Sequence, residues 1–125
     1  MPQRTTKIIG SGIAPAAAAQ ISGDCQDNVT AAGTTQATAA AIYGDTVVVT
    51  TTAASTGVVF TGPSFYAGDD CMVCNLGANA LLVYPPVGGQ INALAVNAGF
   101  SIGAGKSAFF VARADASKFV AGLTA

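Results

Sequence analysis

Short runs of β-branched and apolar residues, each closed by a turn signal, constrain this chain more than any other feature. The clearest run is TVVVTTT at residues 46–52, which follows the Gly44-Asp45 turn. β-Branched side chains favour strands because they pack well on a pleated, half-buried surface. A run of this length between turn residues predicts a strand.

Further runs of the same form follow at short spacing along the chain. The gaps between them carry Gly, Pro, Asn and Asp, the residues that favour turns. Such spacing predicts a β-sandwich or barrel, and no helical crossovers separate the runs, so we expect antiparallel pairing. The sequence thus predicts an all-β fold: a compact antiparallel sandwich or barrel, jelly-roll-like, without a fixed-period repeat. The predicted strands are 57–60, 71–74, 80–84, 90–92, 100–102 and 108–112.

The first part of the chain has a different composition. Residues 1–12 are predicted to form an extended arm that ends in Gly-Ser-Gly. Pro15 followed by AAAAQIS predicts one short helix, because Pro suits a first helical turn and Gly23 can end it. Residues 24–33 are polar and rich in turn signals. We therefore expect a 1–12 arm and a single β-rich domain over 13–125.

Charge is scarce and unevenly distributed. Only 9% of the 125 residues are charged, against about 25% in an average protein, and the chain has no His. Every charge between residues 8 and 105 is an Asp, so no basic patch of the kind that nucleic acid requires is present. A weakly charged surface protects poorly against association. We expect a homo-oligomer, with a closed trimer favoured.

One segment resembles a localisation signal, and only weakly. The apolar stretch after Arg4 and Lys7 is interrupted by glycines, Ser11 and Pro15, which makes a poor signal-peptide core. No run approaches the roughly 20 apolar residues of a membrane span. We expect neither secretion nor membrane association.

The stretch GFSIGAGKS, residues 99–107, resembles a phosphate-binding loop. That motif requires a glycine five residues before Gly105, where this chain has Phe100, and a helix after the Ser. The residues that follow Ser107, AFFVA, instead predict a strand. We interpret the stretch as a turn between two strands, and expect no nucleotide cofactor.

The cysteines include a Cys-x-x-Cys pair, Cys71 and Cys74, together with the distant Cys25. Redox and metal sites are the alternatives to inert thiols. Zinc needs four ligands, and a redox pair needs a helix N-terminus. Residues three apart on a strand face opposite ways, so we expect three free, buried thiols.

Few residues could carry out catalysis. The chain has no His to serve as a base, and the only adjacent carboxylates are Asp69 and Asp70. These follow Ala67-Gly68, where Asp favours a turn through Asx hydrogen bonding, although a calcium site is an alternative. The aromatic residues suit core or interface packing better than a sugar-binding stripe. We expect no enzymatic activity and no metal.

Five phrases follow one another between residues 34 and 119: TTQATA, GDTVVVTT, AGDD, NLGANALLVYPPVGGQIN and AGKSAFFV. In this order they resemble small structural proteins of tailed bacteriophages, and residues 77–92 are the most specific part. Such proteins often have aliphatic residues where Cys71 and Cys74 stand and a Trp near Phe119. The resemblance implies an oligomeric head decoration (cement) protein without catalytic residues.

A cement protein would bind the major capsid protein on the outer surface of the virion, after synthesis in the host cytoplasm. The candidate capsid-contact arm is Arg4, Thr5, Thr6, Lys7, Ile8 and Ile9. The alternative is a tail or fibre component. Fibres are commonly longer and repetitive, so the short, repeat-free chain favours the cement protein.

Overall fold

The structure, a computed structural model, describes residues 12, 14, 25–61, 66–114 and 117–124. The all-β prediction is confirmed: these residues form ten strands and no helix. The predicted arm, except Gly12, and the predicted helix lie outside the described residues. The strands are β1 Cys25–Thr30, β2 Ala40–Ile42, β3 Thr46–Thr51, β4 Gly57–Phe60, β5 Asp70–Asn75, β6 Leu81–Tyr84, β7 Gln90–Ile91, β8 Phe100–Ile102, β9 Ser107–Ala112 and β10 Lys118–Leu123.

The chain alternates between two sheets as it advances. The six-stranded sheet has the order β1-β3-β5-β9-β10-β7, and the four-stranded sheet has the order β2-β4-β6-β8. Strands β1, β3 and β5 pair in parallel, as do β2, β4 and β6. The first six strands therefore form three coils of a β-solenoid, each with one strand in each sheet.

The predicted antiparallel, jelly-roll-like sandwich or barrel is therefore wrong: the fold is a β-solenoid whose coil strands pair in parallel. Parallel neighbours need a crossover, which is usually a helix. Here the strand in the opposite sheet makes that crossover. Cys25 pairs with Thr46 and Thr46 with Met72, so equivalent positions lie at unequal separations along the chain. Unequal coil lengths explain why no repeat was visible in the sequence.

Antiparallel strands close the solenoid after its third coil. Strand β8 pairs with β6, and β9 pairs with β5. Strand β10 then pairs with β9, and β7 pairs in parallel with β10. One end of the stack is thus covered by β8 and β9, whereas β1 and β2 form its opposite edge.

The core lies between the two sheets. Val47, Val58, Val73 and Val83 are fully buried, and each comes from a different coil strand. Three phenylalanines fill the space near β9 and β10. The Phe60 ring stacks on Phe119 at 5.2 Å between centroids and meets Phe110 edge-on, also at 5.2 Å. These aromatic contacts tie the closing strands to the coils.

The predicted strands match the observed ones where an apolar run meets a turn signal. Residues 57–60 and 100–102 are strands with the predicted bounds. Strand β1 was missed because CQDNVT is polar, and the structure places it at a sheet edge with four of its six residues exposed. An edge strand buries little apolar surface, so its sequence carries a weak strand signal.

Candidate interaction surface

The six-stranded sheet presents an apolar face to solvent. Side chains alternate along β9: Ala108, Phe110 and Ala112 are buried, whereas Phe109 and Val111 are exposed. The outward positions of the neighbouring strands continue the same surface. We call this surface the outer face, and its residues are Thr46 and Val48 on β3, Met72 and Cys74 on β5, Phe109 and Val111 on β9, and Val120 on β10.

The register of the strands makes the outer face continuous. Met72 lies directly opposite Phe109, and Val111 lies directly opposite Val120. Phe109, Val111 and Val120 keep 49%, 40% and 52% of their surface exposed. Adjacent apolar side chains on neighbouring strands thus form one patch rather than scattered exposed residues.

The sequence of β9 indicates that both faces of this strand are apolar. SAFFVA is apolar at both inward and outward positions. A strand that is apolar on both faces is characteristic of a sheet covered on both sides. Sequence reasoning identified the strand but did not use its lack of polar alternation.

Charges divide across the same sheet. The described acidic residues are on or just before β1, β3 and β5: Asp27, Asp45, Asp69 and Asp70. The described basic residues lie at the ends of β9 or the start of β10: Lys106, Arg113 and Lys118. All seven are exposed. The sheet has an acidic half and a basic half.

A cluster of polar groups around Asn75 is buried and stabilises the fold. Asn75 is fully buried at the end of β5, and its Oδ1 accepts hydrogen bonds from Thr52 Oγ1 at 2.8 Å and from the Gly77 main-chain N–H at 3.0 Å. Its Nδ2 donates to three main-chain oxygens, those of Asn79, Ile102 and Gly103, at 2.8, 3.1 and 3.2 Å. With its hydrogen-bonding capacity used internally, the Asn75 amide holds three chain segments together: Thr52, residues 75–79 and residues 102–103.

The Gly-Lys-Ser stretch is a turn, as predicted. Lys106 N–H donates to the Gly103 oxygen at 3.1 Å, and Gly105 has a φ of 74°. Strand β9 begins at Ser107, where a phosphate-binding loop would begin a helix. The Gly105 N–H donates to the Asn75 oxygen at 2.8 Å and thus serves the protein's own backbone. The absence of nucleotide binding stays a prediction.

The three cysteines are free, as predicted, but they are not equally buried. Cys71 packs against the core and its Sγ donates to the Gly44 oxygen at 3.3 Å, whereas Cys74 lies on the outer face. Cys25 is exposed, which corrects the prediction that all three are buried. Burial raises the pKa of the Cys71 thiol to about 12, and the Asp45 and Asp70 carboxylates add to this. The thiolate needed for redox chemistry is thereby disfavoured at Cys71.

The two adjacent carboxylates occupy different settings. Asp69 Oδ2 accepts from the Tyr66 N–H at 2.9 Å, and Asp70 begins β5. The Asp69 contact is made within the turn but is not the predicted Asx type, because its donor lies three residues earlier rather than two residues later. Among the described residues no group of three or more His, Cys, Asp or Glu could hold a metal ion. Tyr43 and Tyr66 are exposed, whereas Tyr84 is buried. The aromatic residues therefore do not form one stripe.

The predicted contact residues Arg4, Thr5, Thr6, Lys7, Ile8 and Ile9 lie outside the described residues, so their role stays a prediction. Within the described part of the chain, no helix has the length and apolar character to span a membrane. Comparisons with protein-family models, with curated proteins and with solved structures gave no match. The resemblance to phage structural proteins likewise stays a prediction.

Proposed function

We propose that this protein is a structural component of a tailed-bacteriophage particle: a homotrimeric decoration protein that binds the outside of the head and strengthens contacts between subunits of the major capsid protein. The observation that carries the proposal is the outer face, an apolar surface of four adjacent strands on a chain with few charges. Monomeric soluble proteins rarely leave such patches uncovered, and larger ones mark interaction sites. Assembly is therefore the activity that this surface supports best.

The internal hydrogen bonding supports the same role. The buried Asn75 amide donates and accepts hydrogen bonds within the protein's own chain. No buried polar side-chain atom of the described residues lacks a partner. A body held rigid in this way can present a fixed surface to a lattice with little entropy cost on binding.

The arm completes the proposed attachment. Residues 1–12 would extend to as much as roughly 40 Å at ~3.3 Å per residue, which is enough to cross from one capsid subunit to the next. Arg4 and Lys7 would contact exposed carboxylates, and Ile8 and Ile9 would supply the apolar contact. In this arrangement the β-rich body holds the trimer and the arm binds the shell.

A tail or fibre component is the second candidate, and the coil stacking favours it. Stacked coils can be extended one on another, which is how elongated repeat proteins are built. The edge formed by β1 and β2 lies at the start of such a stack. The same chain could therefore stand at the end of a longer particle appendage.

Particle fractionation with antibody labelling tests both candidates. Particles from a culture that produces the protein are banded by density, probed for the chain by mass spectrometry, and imaged with a gold-labelled antibody. We expect the chain in the particle band and the label over the heads. Label confined to tails would support the second candidate against the first. Absence of the chain from purified particles would contradict both.

A further inference from the structure

We propose that the outer face is the contact between copies of this chain, and that the copies pack around a symmetry axis parallel to the strands. The inference rests on the proposed trimeric assembly, and it deepens it by naming the surface that the copies share. Two observations carry it: the apolar patch and the division of charge across the sheet.

The patch lies at the centre of the sheet rather than at an edge. Phe109 and its cross-strand neighbour Met72 lie on β9 and β5, the two middle strands of the six. Val48 and Val120 flank them on β3 and β10. A surface centred in this way is buried when sheets pack face to face, and is left open when they pair edge to edge.

The charges set the direction of the axis. An axis parallel to the strands places the basic β9–β10 side of one copy beside the acidic β1–β3 side of the next. A two-fold axis within the sheet plane and perpendicular to the strands would instead place acidic side on acidic side and basic on basic. Opposite charges at an interface favour association, and like charges facing each other oppose it. Cyclic packing along the strands is thus the arrangement that both apolar and charged residues favour.

Substitution on the outer face tests the inference. Phe109→Asp and Val120→Asp each place a carboxylate in the proposed contact, while Val87→Asp is the matched control on an 85% exposed residue away from the face. Light scattering after size exclusion should report trimers for the wild type and Val87→Asp, and monomers for the two face variants. Phe109 and Val120 are half exposed, so circular dichroism and thermal melting should report folded protein for both.

Cysteine reactivity supplies a second readout on the same samples. Cys74 lies in the outer face, Cys25 is exposed on the edge strand β1 beside Thr46, and Cys71 is held protonated by burial. A thiol reagent at neutral pH should modify Cys74 in the Phe109→Asp monomer but not in the trimer. Protection of Cys74 in a monomeric wild type would mean that the chain's own segment before Cys25 covers the face, which would overturn the proposal.

The remaining outcomes separate this inference from the proposed function. A trimer that survives both face substitutions would overturn the inference and leave the capsid role standing. A wild-type dimer that Phe109→Asp dissociates would support the shared face and correct the copy number. A trimer that behaves as expected but is absent from phage particles would support the face and overturn the capsid role.

Arg113→Glu should weaken assembly at low salt more than at high salt, and an unchanged oligomer at low salt would contradict the axis direction.

Discussion

Thr52 and Asn75 are joined by a buried hydrogen bond of 2.8 Å between their side chains, Thr52 Oγ1 to Asn75 Oδ1. The bond links the chain just after β3 to the end of β5. The Asn75 main-chain N–H donates to the Lys106 oxygen at 2.9 Å, and Asn79 Nδ2 donates to the Thr52 oxygen at 2.8 Å. These contacts hold two coils and the closing turn together where the solenoid ends.

Removal of the Asn75 amide should be strongly destabilising. Asn75→Ala leaves the buried Thr52 hydroxyl and Gly77 N–H without this acceptor, and three carbonyls without this donor. A buried polar group without a partner costs about 1–3 kcal/mol, so we expect a loss of about 3–5 kcal/mol in the free energy of unfolding. Thr52→Val removes one hydroxyl and should cost about 1 kcal/mol.

Urea titration followed by circular dichroism measures both losses. Thr51→Val is the matched control, because Thr51 directly precedes Thr52 and is exposed at the end of β3. It should change the free energy of unfolding by about 0.5 kcal/mol or less. An Asn75→Ala loss no larger than that of the Thr51 control would show that the cluster does not fasten the coils.

Gly77 should not tolerate a methyl group. A Cβ at this position would overlap the Thr52 side chain and lie 2.7 Å from the Thr52 main-chain nitrogen. The backbone cannot move away without breaking the Asn75 contacts, so Gly77→Ala should cost about 1–3 kcal/mol or more.

Gly103→Ala is the control for this change. Its Cβ would make an ordinary contact at 3.5 Å with the flexible Lys106 side chain, so a small effect on the melting temperature is expected. Thermal melting of the two variants should place Gly77→Ala well below Gly103→Ala. Equal melting temperatures would contradict the close approach of Gly77 to Thr52.

The Cys71 thiol should be nearly inert in the folded protein. Its pKa is raised from 9.0 to about 12, chiefly because burial disfavours the thiolate. Only the thiolate reacts with alkylating agents, so at pH 8 the native rate should be about a thousand-fold below that of the unfolded chain. Mass spectrometry of iodoacetamide adducts measures the two rates. Comparable rates in folded and urea-denatured protein would show that Cys71 is not held protonated.

The raised pKa of Cys71 also predicts that the wild type and Cys71→Val differ in stability at high pH. The folded pKa exceeds the unfolded one, so the folded state binds more protons between the two values. The contribution is fully present below about pH 9 and is lost as the pH rises through about 12. Cys71→Val removes it, so wild type should lose stability relative to Cys71→Val across this window. If the free energies of unfolding of the two proteins changed with pH in parallel, the raised pKa of Cys71 would be contradicted.

Deletion of residues 2–10 tests the arm within the proposed function. We expect an oligomer of unchanged size and melting temperature that sediments less with mature capsids, because only the attachment is removed. Arg4→Ala combined with Lys7→Ala should weaken binding modestly, since exposed ion pairs contribute about 0–1 kcal/mol each. Unchanged sedimentation would show that the arm does not bind the shell. A collapsed melting temperature would instead show that it belongs to the fold.

The positions of most strands and turns follow from local sequence alone. TVVVTT of β3 and GVVF of β4 are strands because β-branched residues fit a pleated, buried surface, and the Gly, Asn and Asp between the runs cannot continue them. The opposite facing of Cys71 and Cys74 followed from the two-residue period of a strand. These are local properties, which each segment carries wherever it packs.

The pairing of the strands, in contrast, depends on how the whole chain packs. Val47 pairs with Val73 across a coil and Val73 with Ala108 at the closing strand, and the first pair is parallel while the second is antiparallel. Nothing local distinguishes these strands, because direction depends on the route of the intervening chain through the other sheet. The Asn75 cluster and the outer face exist for the same reason: each joins residues from separate segments that become neighbours only when the coils stack.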